Sequence, residues 1–379
     1  MNRPLRASIP KLALAAILLP VGPFTAQQDP DLIRGDQWHL PFLRITQAHL
    51  LSQGSGVVVA VPDTGVDPHP DLRENLLSGT DVIPGGSGDG RQDRDSHGTS
   101  MAGLIAAHGR ANNQGALGIA PKAKILPILD TPLDGKGDPD ALASGIEFAI
   151  ARGADVISIS AVAGASVRLQ QALRAAKDAN ILVIAAGGNW PPDTDVRYPA
   201  TEEGVIAVGG VDRAGQHAAV SVTGPQIDVV APAVDIYSTS YDGKYSKGTG
   251  TSSATAIVAG AAALIRSKYP YLPAQEVAHR LTATAVDKGP PGRDDEYGYG
   301  VIDLVAALTA DVPPLGFESA SAPAGGGPTT AAGAQPGDDG GATVRGLATL
   351  GVVVAAGVGW ALVVRRRRRG DDPPPRISR

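Results

Sequence analysis

The chain contains no cysteine, which excludes disulfides, thiolate nucleophiles and cysteine-ligated zinc or iron–sulfur centres together. It does not exclude export, because 379 residues can bury a core that needs no covalent staples. Aromatic residues are only 4%, so the core must be assembled from Ala, Val, Ile and Leu. Nucleotide-binding signatures are also missing: there is neither a G-x-G-x-x-G after a strand nor a G-x-x-x-x-G-K-[ST]. A broad basic face is absent from the middle of the chain. Of the net charge of −5, Arg3, Arg6 and Lys11 contribute +3 at one end. The last 15 residues contribute +5, which leaves −13 between the ends. Phosphate contact needs basic surface, so nucleic acid is not an expected partner.

The basic ends flank apolar runs. Arg3, Arg6 and Lys11 precede Leu12–Leu19 and the small residue Ala26, the pattern of a signal peptide over residues 1–26. Leu347–Val364 is uncharged for 18 residues and is followed at once by Arg365–Arg369. As a helix it would span roughly 27 Å, near the hydrocarbon thickness, and the arginines would hold its far end in the cytoplasm. The expected product is a single-pass cell-membrane protein with its body outside and its C-terminus inside. Residues 311–346 are rich in Pro, Gly and Ala and lack periodicity, as a flexible linker does. The rest divides into an extension over 27–50, a folded domain over 51–310, the membrane helix over 347–364 and a basic tail over 365–379.

Within the folded domain, short β-branched runs alternate with helical patterns. Strands are expected at Val57–Val61, Ile125–Leu129, Val156–Ser160, Ile181–Ala185, Val205–Val208 and Asp228–Val230. Helices are expected at Gly98–Ala107, Pro139–Arg152 and Val167–Ala179. A further helix presents Ala254, Ile257, Val258, Ala261, Leu264 and Ile265 on one face. Near-continuous apolar strands joined by helices imply an α/β fold, doubly wound, with a mostly parallel sheet covered on both faces. Such sheets bind ligands at the carboxyl ends of their strands.

Four polar residues fall at element ends in the order Asp63, His97, Asn189, Ser252. A serine hydroxyl needs a base to become a nucleophile, histidine suits that task, and a carboxylate orients the imidazole. The Asn189 amide and the Ser252 N–H at a helix start suit an oxyanion. Singly, each has a plainer reading as a turn or cap residue. All four together, each at an element end, are hard to assign to turns and caps. An α/β-hydrolase is excluded, because no G-x-S-x-G occurs and the only histidine after Ser252 is His279.

The segments VPDTGVDPHPDL, DSHGTSMAGLIAA, AAGGN and GTSSATAIVAGAAAL resemble those of the subtilisin-like serine proteases, the S8 family of subtilases. GYGVIDLVAAL (Gly298–Leu308) is similar to that family's closing segment. The resemblance implies a peptidase with Asp63 as triad acid, His97 as base, Ser252 as nucleophile and Asn189 as oxyanion donor. It puts Ser160, Ala161 and Val162 on the substrate-binding strand. Ala161 and Val162 depart from the usual residues there, and imply a shallow pocket for small side chains. Gln37-Trp38-His39-Leu40 and the anchored architecture resemble the mycosins associated with type VII secretion. The partners implied are a protein or peptide substrate, the membrane and a type VII secretion complex. No folded inhibitory pro-domain fits between Ala26 and Asp63, so the 27–50 extension is expected to wrap the domain. No cofactor or metal is implied; subtilases often hold structural calcium, but Asp89, Asp93 and Asp95 read as a solvated loop. The alternative function is a structural stabiliser of a secretion complex with slow or secondary proteolysis.

Overall fold

A computed structural model describes residues 32–132 and 137–316. The expected signal peptide, membrane helix and basic tail, with most of the linker, lie outside them. Among the described residues, no helix is long and apolar enough to cross a membrane.

Three short helices open the described chain: α1 (Ile33–Asp36), α2 (His39–Phe42) and α3 (Ile45–Leu51). Seven strands then form one sheet: β1 (Val58–Asp63), β2 (Thr80–Asp81), β3 (Lys124–Leu129), β4 (Val156–Ile159), β5 (Leu182–Ala186), β6 (Val205–Val211) and β7 (Val229–Pro232). Their order is β2-β3-β1-β4-β5-β6-β7, and every pairing is parallel. A small antiparallel hairpin follows, β8 (Ile236–Thr239) with β9 (Tyr245–Gly248). The remaining helices are α4 (His97–Ala106), α5 (Pro139–Ala151), α6 (Val167–Asp178), α7 (Thr251–Lys268), α8 (Ala274–Ala283) and α9 (Leu304–Thr309).

The layers follow from the two-residue period of the strands. Val59 and Val61 point into a core shared with Leu104 and Ile105 of α4 and Ile257 and Val258 of α7. Ala60 points the other way, into a core with Leu142 and Ile146 of α5 and Leu169 and Leu173 of α6. Helix α7 is buried on almost every side, which its Ala and Gly content permits. A Cβ on Gly260 would lie 2.6 Å from that of Ile119, so only glycine lets the helix sit this deep.

The strand order reverses at β1, which has β3 on one side and β4 on the other. Pairing of β1 with β4 runs only through Val59–Val156 and Ala60–Ile157, and then the two strands part. A crevice opens there at the carboxyl ends, the switch point of a doubly wound sheet. Pro62 lies inside β1, one residue further than sequence patterning placed the strand's end. The Asp63 carbonyl accepts from the Asp130 N–H (3.0 Å), so Asp63 faces β3 and Pro62 faces the gap toward β4. Its missing N–H therefore removes no ladder bond.

Residues 32–51 are tied to the domain by side-chain hydrogen bonds. The Trp38 indole donates to the Val234 and Asp235 carbonyls (3.0 and 3.2 Å). The Gln37 amide donates to Leu117 and Tyr237 and accepts from the Leu117 N–H. Arg34 donates to the Gly115 and Gln114 carbonyls.

Candidate active site

Asp63 ends β1 and is 3% exposed. His97, the first residue of α4, faces it across the crevice with Nδ1 at 2.8 and 2.9 Å from the two carboxylate oxygens. The close approach depends on glycine: a Cβ on Gly98 would sit 2.0 Å from the Gly65 carbonyl oxygen. The Thr64 N–H donates to Asp63 (2.8 Å) and the Gly98 N–H to the Thr64 hydroxyl (3.0 Å), so strand end and helix start are stitched together.

Asp93 organises this junction. It is 4% exposed, not solvated as the sequence reading had it. One carboxylate oxygen accepts from the Asp95 and Ser96 N–H groups and the Thr64 hydroxyl, the other from the Thr99 N–H and hydroxyl. The first turn of α4 thus gains the acceptor that its exposed N–H groups require. Ser96 adopts φ +94°, a left-handed conformation unusual for serine, and delivers His97 toward Asp63. Nothing in the string DRDSHG distinguishes this buried carboxylate from the exposed Asp95; the threonine three residues into the helix is the local signal.

Ser252 is the second residue of α7, after Gly250. Its hydroxyl donates to the Ser160 carbonyl (2.7 Å), and the Ser160 hydroxyl donates to the Ser252 carbonyl (3.2 Å). Ser160 thereby ties the end of β4 to the start of α7. Asn189 follows β5 through Gly187 and Gly188. Its side-chain oxygen accepts from the Thr251 N–H (2.9 Å) and hydroxyl (3.2 Å), which leaves the amide nitrogen to donate elsewhere. His97, Asn189 and Ser252 line one cavity of about 320 Å³, together with Asp95, Ser96 and Gly250. Ala161 and Val162 lie beside a separate, small cavity of about 20 Å³, shared with Pro62, Asp130, Leu142 and Ala163. Val162 is 39% exposed, so it stands on the rim and does not fill the space.

Carboxylates dominate the electrostatics. His97 is pushed up to about 9, chiefly by the Asp63 charge against the opposing effect of burial, with smaller contributions from Asp95 and Asp93. Asp130, which begins just beyond β3, is pushed up to about 8 by burial and by the Asp63 charge; Thr131 donates to it (2.9 Å). Sequence patterning missed Asp130, because a single aspartate after an apolar run reads as a turn residue. Among the described residues, no group of His, Cys, Asp or Glu has the arrangement of a metal site.

Chemically, the cavity offers a histidine held by a buried carboxylate, a hydroxyl at a helix start, and an amide donor with its oxygen pinned. That set suits attack on a carbonyl with stabilisation of the resulting oxyanion.

Known proteins agree with this chemistry. The alkaline protease described as thermostable from Halalkalibacterium halodurans is 38% identical over 268 residues, 70% of this chain and 71% of the relative. Subtilisin BL from Lederbergia lenta is 38% identical over 67% of this chain and 91% of its own length. Among solved structures, MycP1 from Mycobacterium smegmatis superposes with a TM-score of 0.65 at 31% identity, covering 73% of this chain and 85% of that one. The MycP3 protease from the type VII (ESX-3) secretion system gives 0.63 at 33% identity, covering 75% of this chain and 90% of that one. The model of the Subtilase family matches residues 54–300, and the chain belongs to that family of serine endopeptidases.

Proposed function

We propose that this chain is a membrane-anchored extracytoplasmic endopeptidase in which Asp63, His97 and Ser252 form the catalytic triad. The observation that carries the reading is the Asp63–His97 pair lining, through His97, the same cavity as Ser252 and Asn189. In the reaction, Ser252 Oγ leaves the Ser160 carbonyl and passes its proton to His97 as it attacks the scissile carbonyl. Asp63 holds the imidazole and stabilises the imidazolium that forms. The Asn189 amide and the Ser252 N–H receive the oxyanion. His97 then protonates the leaving amine, and water releases the acyl group by the same steps in reverse order.

Ser160, Ala161 and Val162 border the substrate's path, with Ser160 hydrogen-bonded to Ser252, and the short side chain of Ala161 supports a preference for small substrate side chains. The 18 apolar residues Leu347–Val364 and the adjoining arginines support the anchor. Similarity to MycP1 and MycP3, both described as type VII secretion proteins, supports work beside such a complex. A second reading, structural stabilisation of the complex with slow proteolysis, draws on the Ser252 hydroxyl being bonded to Ser160.

A fluorophosphonate probe tests the first reading on the full chain. Labelling of the wild type that disappears in Ser252→Ala is expected. Folded wild-type protein that takes no label would instead favour the stabiliser.

A further inference from the structure

The loop after Asn189 carries a feature that the triad chemistry does not use. Asp193 holds the Asn189 peptide from both sides. Its carboxylate accepts from the Asn189 N–H (2.9 Å), and its own N–H donates to the Asn189 carbonyl (2.9 Å). The second carboxylate oxygen faces the Arg197 guanidinium at 3.4 Å. Arg197 is anchored in turn through its N–H to the Gly187 carbonyl (2.8 Å), so Gly187 and Asn189 are both held by this one loop. The side chains of Asp193 and Arg197 fold over Gly188. A Cβ there would meet Arg197 Cγ at 3.0 Å and Asp193 Oδ2 at 3.1 Å, and Gly188 has φ +124°.

We propose that Asp193 is a positioning residue that aims the Asn189 side-chain amide at the developing oxyanion, with Arg197 as its support. The inference rests on the reading of Asn189 as the oxyanion donor. An amide donor is effective only if it is already oriented when charge develops, because reorientation would absorb the stabilisation. Asn189 has three groups that could let it drift: its N–H, its carbonyl and its side-chain oxygen. Asp193 fixes the first two and Thr251 fixes the third. What remains is the amide nitrogen, directed by a frame in which every other polar atom is committed. Asp193 is placed to act on turnover and not on substrate capture, since its carboxylate is committed to Asn189 and Arg197.

A double-mutant cycle on the full chain tests this, with succinyl-Ala-Ala-Pro-Ala p-nitroanilide as the probe. Loss of an oxyanion donor lowers kcat by about 10²–10³, a magnitude taken from a subtilisin and so from this family. Asp193→Ala is expected to lower kcat about tenfold with KM within about twofold, as for an interaction made in the transition state. Added to Asn189→Ala, it is expected to lower kcat no further, because the donor it serves is gone. Asp193→Asn keeps an acceptor oxygen and is expected to recover most of the rate. Losses that multiply in the double variant, a raised KM at unchanged kcat, or wild-type kinetics in Asp193→Ala would each overturn the positioning role. A fully active Asn189→Ala would sink the oxyanion reading itself, which separates the two failures. If Asp193→Ala does not fold, Arg197→Met replaces it in the same cycle, with an expected loss of about threefold and the same non-additivity.

Discussion

His39 is completely buried in α2, and neither ring nitrogen has a hydrogen-bond partner. Burial alone pushes it down to about 3. An unfolded chain holds the same imidazole near 6.5, so between pH 3 and 6.5 the unfolded state binds the extra proton. Stability contributed by keeping His39 neutral is therefore full above pH 6.5 and declines as the pH falls through this window. At pH 5 the solution lies about 1.5 pH units below the unfolded pKa, which amounts to about 2 kcal/mol of lost stability. His39→Leu abolishes this titration. It also removes two buried nitrogens that lack partners, so it should be neutral or stabilising at pH 7.5. Urea unfolding of wild type and variant at pH 7.5 and pH 5 measures the effect. The variant's advantage should grow by about 2 kcal/mol on acidification. His49 and His69 are also pushed down, chiefly by burial, and supply a residual acid sensitivity common to both proteins. Parallel stability profiles across this range would refute the reasoning, because they would mean that water or a partner reaches the His39 ring.

His97 is raised by Asp63, Asp95 and Asp93, so most of it is protonated at neutral pH and the base form grows as pH rises. The ring is 36% exposed and solvent screens part of the effect, which makes the value of about 9 an upper limit for the kinetic midpoint. We expect kcat/KM to climb through pH 7 and level off on the alkaline side, with Asp95→Asn moving the climb to lower pH; a plateau complete by pH 6.5 would contradict this. Gly98→Ala should lower fluorophosphonate labelling more than 100-fold, on the order expected when a triad pair is pushed out of register. Its Cβ would stand 2.0 Å from the Gly65 carbonyl oxygen and 3.2 Å from the Asp63 Cβ. Folded, normally labelled Gly98→Ala protein would show that the junction of β1 and α4 can relax.

Much of this protein is legible in one dimension. Continuous apolar runs mark the buried parallel strands, because a strand covered on both faces has no polar side to display. Four motif residues stand at element ends, where a doubly wound sheet presents its chemistry, and order along the chain is enough to suggest their roles. Other features are invisible there because they depend on which groups share a neighbourhood. The proline in β1 is harmless because its nitrogen faces the place where β4 has already turned away. Asp93 and Asp95 are two residues apart, yet one is buried under the first turn of α4 and the other lines the cavity in solvent. Asp130 is pushed up first by burial and then by the charge of Asp63, which lies 67 residues earlier in the chain and one strand away. The sequence by itself determined the fold class and the chemical inventory, since periodicity and residue type are local properties. Only the tertiary structure decided which carboxylates are buried, which atoms hold Asn189 and which way the Ser252 hydroxyl turns, since each depends on desolvation and contacts between distant segments.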